Sequence, residues 1–472
     1  MRFPSLGLLL LLLAAALPAT ALAGRLCLLP VGDGAPGAAD LGDAWRIVRK
    51  IDSFHGRPRP IMQGGNRRGV WTIDENRRLV PYGGPYPTFG LAARYLHDPA
   101  TDRLVGIDRT GLYVAPAADG RFQPLATPPG FRFYDIALAR GQVYVGVADA
   151  GVHRLAGPTL VPAFPPAVWT VREVEGMPGL LATAADGLIL HVGEGAVQTP
   201  LYTLAKTTGD YLLTADLLPG NRLLLRSQKE TVAIDLDWAD GTPRPRAVHR
   251  LERRQTNRAA ADLVSKALGL YLTLSDAEPG RLLRLGAAGL ETVASLPLRP
   301  HPFTDLPALG LVLVNAGHVS DRIGNGGLYA YDGDRLVPIP DSGADAIGTW
   351  TWIRPAETIG KILIYSERGL FELGPDLRIR PLPPPEGFPA GEAIRDIAEM
   401  PASRRVAVIT AGGLYTIDAE GRAETVAGGR DHEFPHLPSP AYLQGRQELL
   451  IVAGDRLLLL ADEALSGPCP PP

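Results

Sequence analysis

The sequence has only two cysteines, Cys27 and Cys469, so it can form one internal disulfide and no framework of them. It has no large excess of either charge. With 47 basic against 50 acidic residues the formal charge is −3, which argues against a nucleic-acid binder. Lysine is scarce: five of the 47 basic residues are Lys and the other 42 are Arg. That bias favours rigid bidentate ion pairs, though a GC-rich coding sequence would produce it too. No stretch beyond the N-terminal segment is apolar for long enough to span a bilayer as a helix, and long amphipathic helical windows are missing. The chemistry-bearing motifs of common hydrolases are missing as well. There is no Gly-x-Ser-x-Gly elbow, no HExxH and no phosphate-cradling glycine loop leading into a helix.

Residues 1–23 have the form of a secretory signal: Arg2 at the positive end, an apolar run from Leu6 to Leu17, a break at Pro18 and the small-residue motif Ala21–Ala23. The expected mature protein, 24–472, is a single secreted or periplasmic domain. Leu26, directly before Cys27, is too large for the processing site of a lipid-modified cysteine. Cys27 is therefore expected to be an ordinary residue that bridges to Cys469 in an oxidising compartment.

Short alternating apolar runs bounded by turn residues fill the chain, with 54 glycines and 45 prolines spread along it. This is the all-β pattern, and it is periodic. A glycine-led strand, a turn and a second strand recur as "GVWTIDENRRLVP" from Gly69, "GLYVAPAADGRFQPL" from Gly111, "GVHRLAGPTLVPA" from Gly151 and "GLILHVGEGAVQTP" from Gly187. Further copies start at Glu230, Gly280, Gly327, Gly369, Gly413 and Gly454, at spacings of 36 to 50 residues. That is the period of a four-stranded β-propeller blade, so the fold expected is an all-β propeller of about ten units. In the ninth unit "IRDIAEM", "RVAVIT", "GLYTIDA" and "AETVAG" supply the four strands from the axis outward.

The tenth unit stops after "DRLLLLAD", one strand short, while the outer strands of other units read "RLVPY", "TLVPA" and "RLVPI". The opening "RLCLLP" matches them, and the next segment, "DAWRIVRKI", fits the innermost strand of the first unit. The N-terminus is therefore expected to complete the last blade, which covers an exposed strand edge. A pair of smaller propellers packed together is the alternative.

The units "GGLYAYDGDRLVPIP", "ERGLFELGPDLRIRPLP" and "GGLYTIDAEGR" resemble the propeller repeats in periplasmic sensor regions of two-component regulators. The resemblance implies a propeller with a sensing role. Those sensors usually carry two seven-bladed rings, a membrane span and a kinase, and this chain departs from that plan. It also lacks the repeated Trp-Asp ending, YWTD string, sialidase box and quinoprotein tryptophan motif of other propellers.

Two sets of residues are candidates for function. Asp135, Glu173, Asp216, Asp262, Asp305 and Asp396 recur in the innermost strands, which line the channel, so several carboxylates could meet on an oxygen-coordinated cation such as calcium, as in propeller lactonases. The bland reading is that this residue makes the same interblade bond in each unit. On the face where innermost strands begin, Trp45, Trp169, Trp350 and Trp352 with Arg46, Arg172 and Arg354 would suit a sugar, peptide or anionic ligand, unless the Trp rings pack between blades. Two His-bearing loops (His318 and Asp321; His432, Glu433 and His436) and the arginine-rich "RPRAVHRLERRQTNR" from Arg244 are more simply solvated segments. The function expected is a binding or sensing scaffold without a cofactor, for an unknown ligand or protein partner at the mouth of the ring. The alternative is a lactone- or carbohydrate-directed hydrolase or lyase with a channel cation.

Overall fold

The computed structural model describes short strands at 28–30, 32–33, 50–53, 60–63, 70–73 and 78–81 and most of the chain from 94 to 462. The longest segments left out of that range are 205–211, 252–261, 317–326 and 429–439. The described chain forms ten sheets, nine of four strands and the first of five, and within each, the N-terminal strands at 28–30 and 32–33 apart, the strands that follow one another in sequence lie side by side and antiparallel. First strands of many neighbouring sheets touch one another, so they lie nearest the common axis: Phe133–Ala139 against Val168–Arg172, and Asp262–Ser265 against Pro300–Leu306, for example. This is a β-propeller.

The strands are apolar along their whole length because each sheet has two buried faces. In the ninth sheet Val406 and Val408 join a cluster with Leu363 and Tyr365 of the eighth. The alternate residues Ala407 and Ile409 join Leu449 and Leu460 of the tenth. The same division recurs in the fifth sheet, where Leu223 and Leu225 face the fourth sheet and Leu224 faces the sixth. A period-2 strand sandwiched on both sides reads as a continuous hydrophobic run. Such clusters fill every junction from the second sheet to the tenth.

The ninth unit's strands are Ile394–Met400, Arg405–Thr410, Gly413–Ile417 and Ala423–Gly428, as the sequence suggests. Fourth strands end in or near proline: Pro81, Pro124, Pro162, Pro338 and Pro381. Proline has no N–H to offer an approaching strand, so these outer edges resist pairing with other chains.

The tenth sheet takes its fourth strand from the N-terminus. Leu28–Pro30 pairs antiparallel with Arg456–Ala461, Leu28 opposite Leu460 and Pro30 opposite Leu458. Two residues further on, Gly32–Asp33 pairs in parallel with the outer strand of the first sheet, Gly32 opposite Arg78. A single short stretch thus straddles the junction between last and first sheets, whose first strands, Ala441–Leu443 and Lys50–Ser53, also touch. Of "DAWRIVRKI", only Lys50 and Ile51 fall in that described strand, and Cys27 and Cys469 lie outside the described residues.

Polar bonds tie neighbouring sheets together at one end. The turn between a sheet's first and second strands presents backbone N–H groups that its own sheet leaves unpaired, and a carboxylate from the next sheet accepts them. Glu173 accepts from the Arg140 N–H at 2.7 Å. Asp305 accepts from the Lys266 N–H and the Ser265 hydroxyl, both at 2.7 Å. Glu399 takes the Thr358 N–H at 2.6 Å, and the fully buried Asp462 takes those of Ala402 and Ser403 at 2.7 and 3.0 Å. At the same end arginines clamp the next sheet's outer turn: Arg103 donates to the Gly157 carbonyl at 2.7 Å, Arg222 to that of Gly286 at 2.7 Å, and Arg284 to that of Gly333 at 2.9 Å. Each is held by an acid of its own sheet, Asp98, Asp235 or Glu291.

Asp462 also accepts from the Tyr442 hydroxyl at 2.5 Å, so Asp462→Ala leaves several buried donors unpaired. The expected cost is roughly 2–4 kcal/mol, read as a fall in the urea unfolding midpoint at unchanged slope. An unchanged midpoint would contradict the role assigned to this carboxylate.

Candidate binding face

Because each sheet is a meander, the starts of first strands, the turns between second and third strands and the connections between sheets all lie at the end opposite the carboxylate latches. At this mouth end the pairing register skips one residue near the start of several first strands: Tyr134, Trp169 and Arg395. Such a bulge re-aims the extra side chain. The Trp169 side is 46 % exposed, its ring centroid lies 5.8 Å from that of Tyr134, and the Tyr134 hydroxyl donates to the Trp169 carbonyl across the junction between sheets three and four. Burial, with help from the Asp135 charge, pushes the Tyr134 pKa up, so this donor stays protonated.

A second group lies between sheets eight and nine. Trp352 and Arg354 alternate on one face of the strand Trp352–Ala356, and they are 55 % and 45 % exposed. Arg354 donates to the Ile397 carbonyl, and its guanidinium lies 3.3 Å from Oδ1 of Asp396. The same oxygen accepts from the Ile397 N–H at 2.8 Å and from the Tyr365 hydroxyl at 3.2 Å. Burial nonetheless dominates and raises the Asp396 pKa; Arg354 is the largest opposing influence. An aromatic plane and a cationic fork are thus presented side by side over a carboxylate that resists ionisation.

The remaining residues singled out from sequence are spread out. Arg172 is the last residue of its strand, away from the mouth-end start where Trp169 sits. Trp45, Arg46 and Trp350 lie outside the described residues, as do His318, Asp321, His432, Glu433 and His436.

The six acidic residues do not share one structural position, because the bulges shift the register between units. Asp135 and Asp396 directly follow the skipped residue, near the mouth. Glu173 and Asp305 lie towards the far end and serve as latches. Asp216 pairs with Arg226 of its own sheet at 2.9 Å, and the Asp262 side chain is outside the described set. Among the described residues, no three His, Cys, Asp or Glu side chains are grouped as metal ligands. The latches Glu399 and Asp462 and the arginine clamps escaped the sequence reading; their signal was an acid or arginine close to a tight turn. The arginines Arg244, Arg246 and Arg250 stand exposed along the outer strand Thr242–Leu251, a charged sheet edge.

No family model matches this chain, and no curated protein matches it. Solved structures to which it is similar include the extracellular domain of the hybrid two-component system BT4673 of B. thetaiotaomicron, at 11 % identity over 87 % of this chain and 74 % of that one, with a TM-score of 0.30. Others are the Dos1 propeller, at 11 % identity over 78 % and 92 % with a TM-score of 0.37, and virginiamycin B lyase from Staphylococcus aureus, at 10 % identity over 61 % and 92 % with a TM-score of 0.34.

The raised pKa of Asp396 sets a pH dependence. The folded state holds this proton more tightly than the unfolded chain, so the contribution of Asp396 to stability is largest below the ordinary aspartate value of 3.8 and falls as pH rises through the folded value. Asp396→Asn is expected to remove that slope and to be at least as stable as the parent at pH 7, in urea melts run from pH 3 to 7. Clear destabilisation at pH 7 would mean that the ionised pair with Arg354 is net favourable.

Proposed function

We propose that this protein is an exported propeller, its ten sheets forming one ring, that acts as a binding or sensing scaffold and takes its ligand at the mouth end in the sector of sheets eight and nine. The observation that carries the reading is the exposure of Trp352 and Arg354 beside each other at the start of a first strand. A half-open indole offers a face for stacking, and the guanidinium beside it offers a planar fork of donors. A ring face to stack on Trp352 and a carboxylate to pair with Arg354 define the ligand class, an acidic sugar or a carboxylate-bearing peptide. Among the described residues no helix is long and apolar enough to cross a membrane.

A cation-dependent hydrolase or lyase would need several carboxylates to meet in the channel. The bonds already made by Glu173, Asp305 and Asp216 favour the scaffold. Elemental analysis with thermal melts in calcium and in chelator separates the two readings: the scaffold is expected to carry no stoichiometric, stabilising calcium, and finding one would favour the enzyme.

Binding itself is tested by tryptophan fluorescence titration with uronic-acid oligosaccharides, their neutral counterparts and short peptides with free C-termini. Saturable binding of a carboxylate-bearing probe is expected, weakened about tenfold or more in both Trp352→Ala and Arg354→Ala. Equal binding by parent and variants would place the ligand elsewhere.

A further inference from the structure

Between sheets eight and nine, at the mouth end, lies a cavity of about 160 Å³. Leu370, Phe371 and Leu382 of the eighth sheet form one wall, and Phe388, Ile394 and Tyr415 form the other. Leu370 and Leu382 sit on the same rung of the eighth sheet as Trp352 and Tyr365, which fixes the cavity at the mouth end. Glu392 at its edge is fixed by the Thr410 hydroxyl at 2.7 Å and the Gly412 N–H at 3.0 Å, which ties it to the turn between the second and third strands of the ninth sheet.

Tyr415 is the unusual member of the lining. It is 2 % exposed, and the Phe388 ring meets it edge-on at 4.9 Å and 70°. Its hydroxyl oxygen is not sealed from solvent and opens into the cavity. No described residue makes a hydrogen bond to this one, in contrast to the Tyr365 hydroxyl on Asp396 and the Tyr442 hydroxyl on Asp462. Burial alone pushes its pKa up, so the group keeps its proton and remains a donor.

We infer that this cavity is a binding site for a phenol-type group, a single six-membered aromatic ring whose hydroxyl pairs with that of Tyr415. A space of about this size holds a benzene-sized ring, and Arg368, Glu392 and Thr410 add polar groups to its lining, which is open on one side. The surrounding aromatic edges and aliphatic walls suit such a ring, and the unpaired hydroxyl selects a ring with a polar substituent over a bare one. The group reaches the site either as a free phenolic compound or as the tyrosine side chain of a partner. The inference does not depend on what Trp352 and Arg354 bind.

The test uses phenol, toluene and N-acetyl-tyrosinamide as probes on the full exported chain, by saturation-transfer NMR and calorimetry, with melts to confirm that each variant is folded. Phenol is expected to bind saturably. Tyr415→Phe, which keeps the ring, is expected to weaken phenol about 5- to 10-fold while leaving toluene unchanged. Leu382→Trp, which fills the space, is expected to remove both; should it fail to fold, Tyr415→Phe alone decides. Binding of N-acetyl-tyrosinamide together with phenol supports the site with a partner's side chain as occupant, and binding of phenol alone supports it with a free compound. Failure of phenol to saturate, or equal phenol affinity in Tyr415→Phe and parent, overturns the inference.

Discussion

Each sheet of this propeller buries both of its faces, and no sheet can do so alone. The alternation in the ninth sheet, with Val406 and Val408 toward one neighbour and Ala407 and Ile409 toward the other, means that removing one sheet strips apolar cover from two others. The turn amides carry the same dependence in polar form. The N–H groups of Arg140, Lys266, Thr358 and Ala402 find their acceptors only on the following sheet. An arrangement built on such neighbour contacts has a free face at each terminus unless the ends meet. The pairing of Leu28–Pro30 with the tenth sheet and of Gly32–Asp33 with the first answers that need.

The two ends of the sheets are consequently unlike. At one end, carboxylates and arginines cross from sheet to sheet at 2.6 to 3.0 Å and fix the turns. At the other, bulges lift Trp169 and Arg395 out of register, Trp352 and Arg354 are half open to water, and a cavity lined in part by Tyr415 lies between sheets eight and nine. On the proposed function, the groups that meet the ligand are pre-placed by bonds that the ligand does not have to supply.

Much of the architecture was legible in the sequence because it is repeated. The glycine-led third strands, the proline-ended outer strands and the missing strand of the tenth unit all appear where the spacing placed them. The acidic residues were less legible. Asp135 and Glu173 look equivalent in the repeat, yet Asp135 directly follows the skipped residue of its strand, near the mouth, while Glu173 lies four residues after its own, at the far end against the preceding sheet's turn. The abundance of arginine reads equally well as coding bias, and only coordinates show Arg103, Arg222 and Arg284 repeating one clamp. The Tyr415 cavity is invisible to any single repeat because its walls come from two.

The contrast between a locked end and a receptive end is tested most directly by native-state hydrogen exchange, with and without a bound carboxylate-bearing oligosaccharide. The amides of Arg140, Lys266, Thr358 and Ala402 should be protected to nearly the level of the core strands in both states, while protection gained on binding should concentrate around Trp352, Arg354 and Ile394–Met400. Fast exchange at those turn amides, or gains confined to the latched end, would contradict the account.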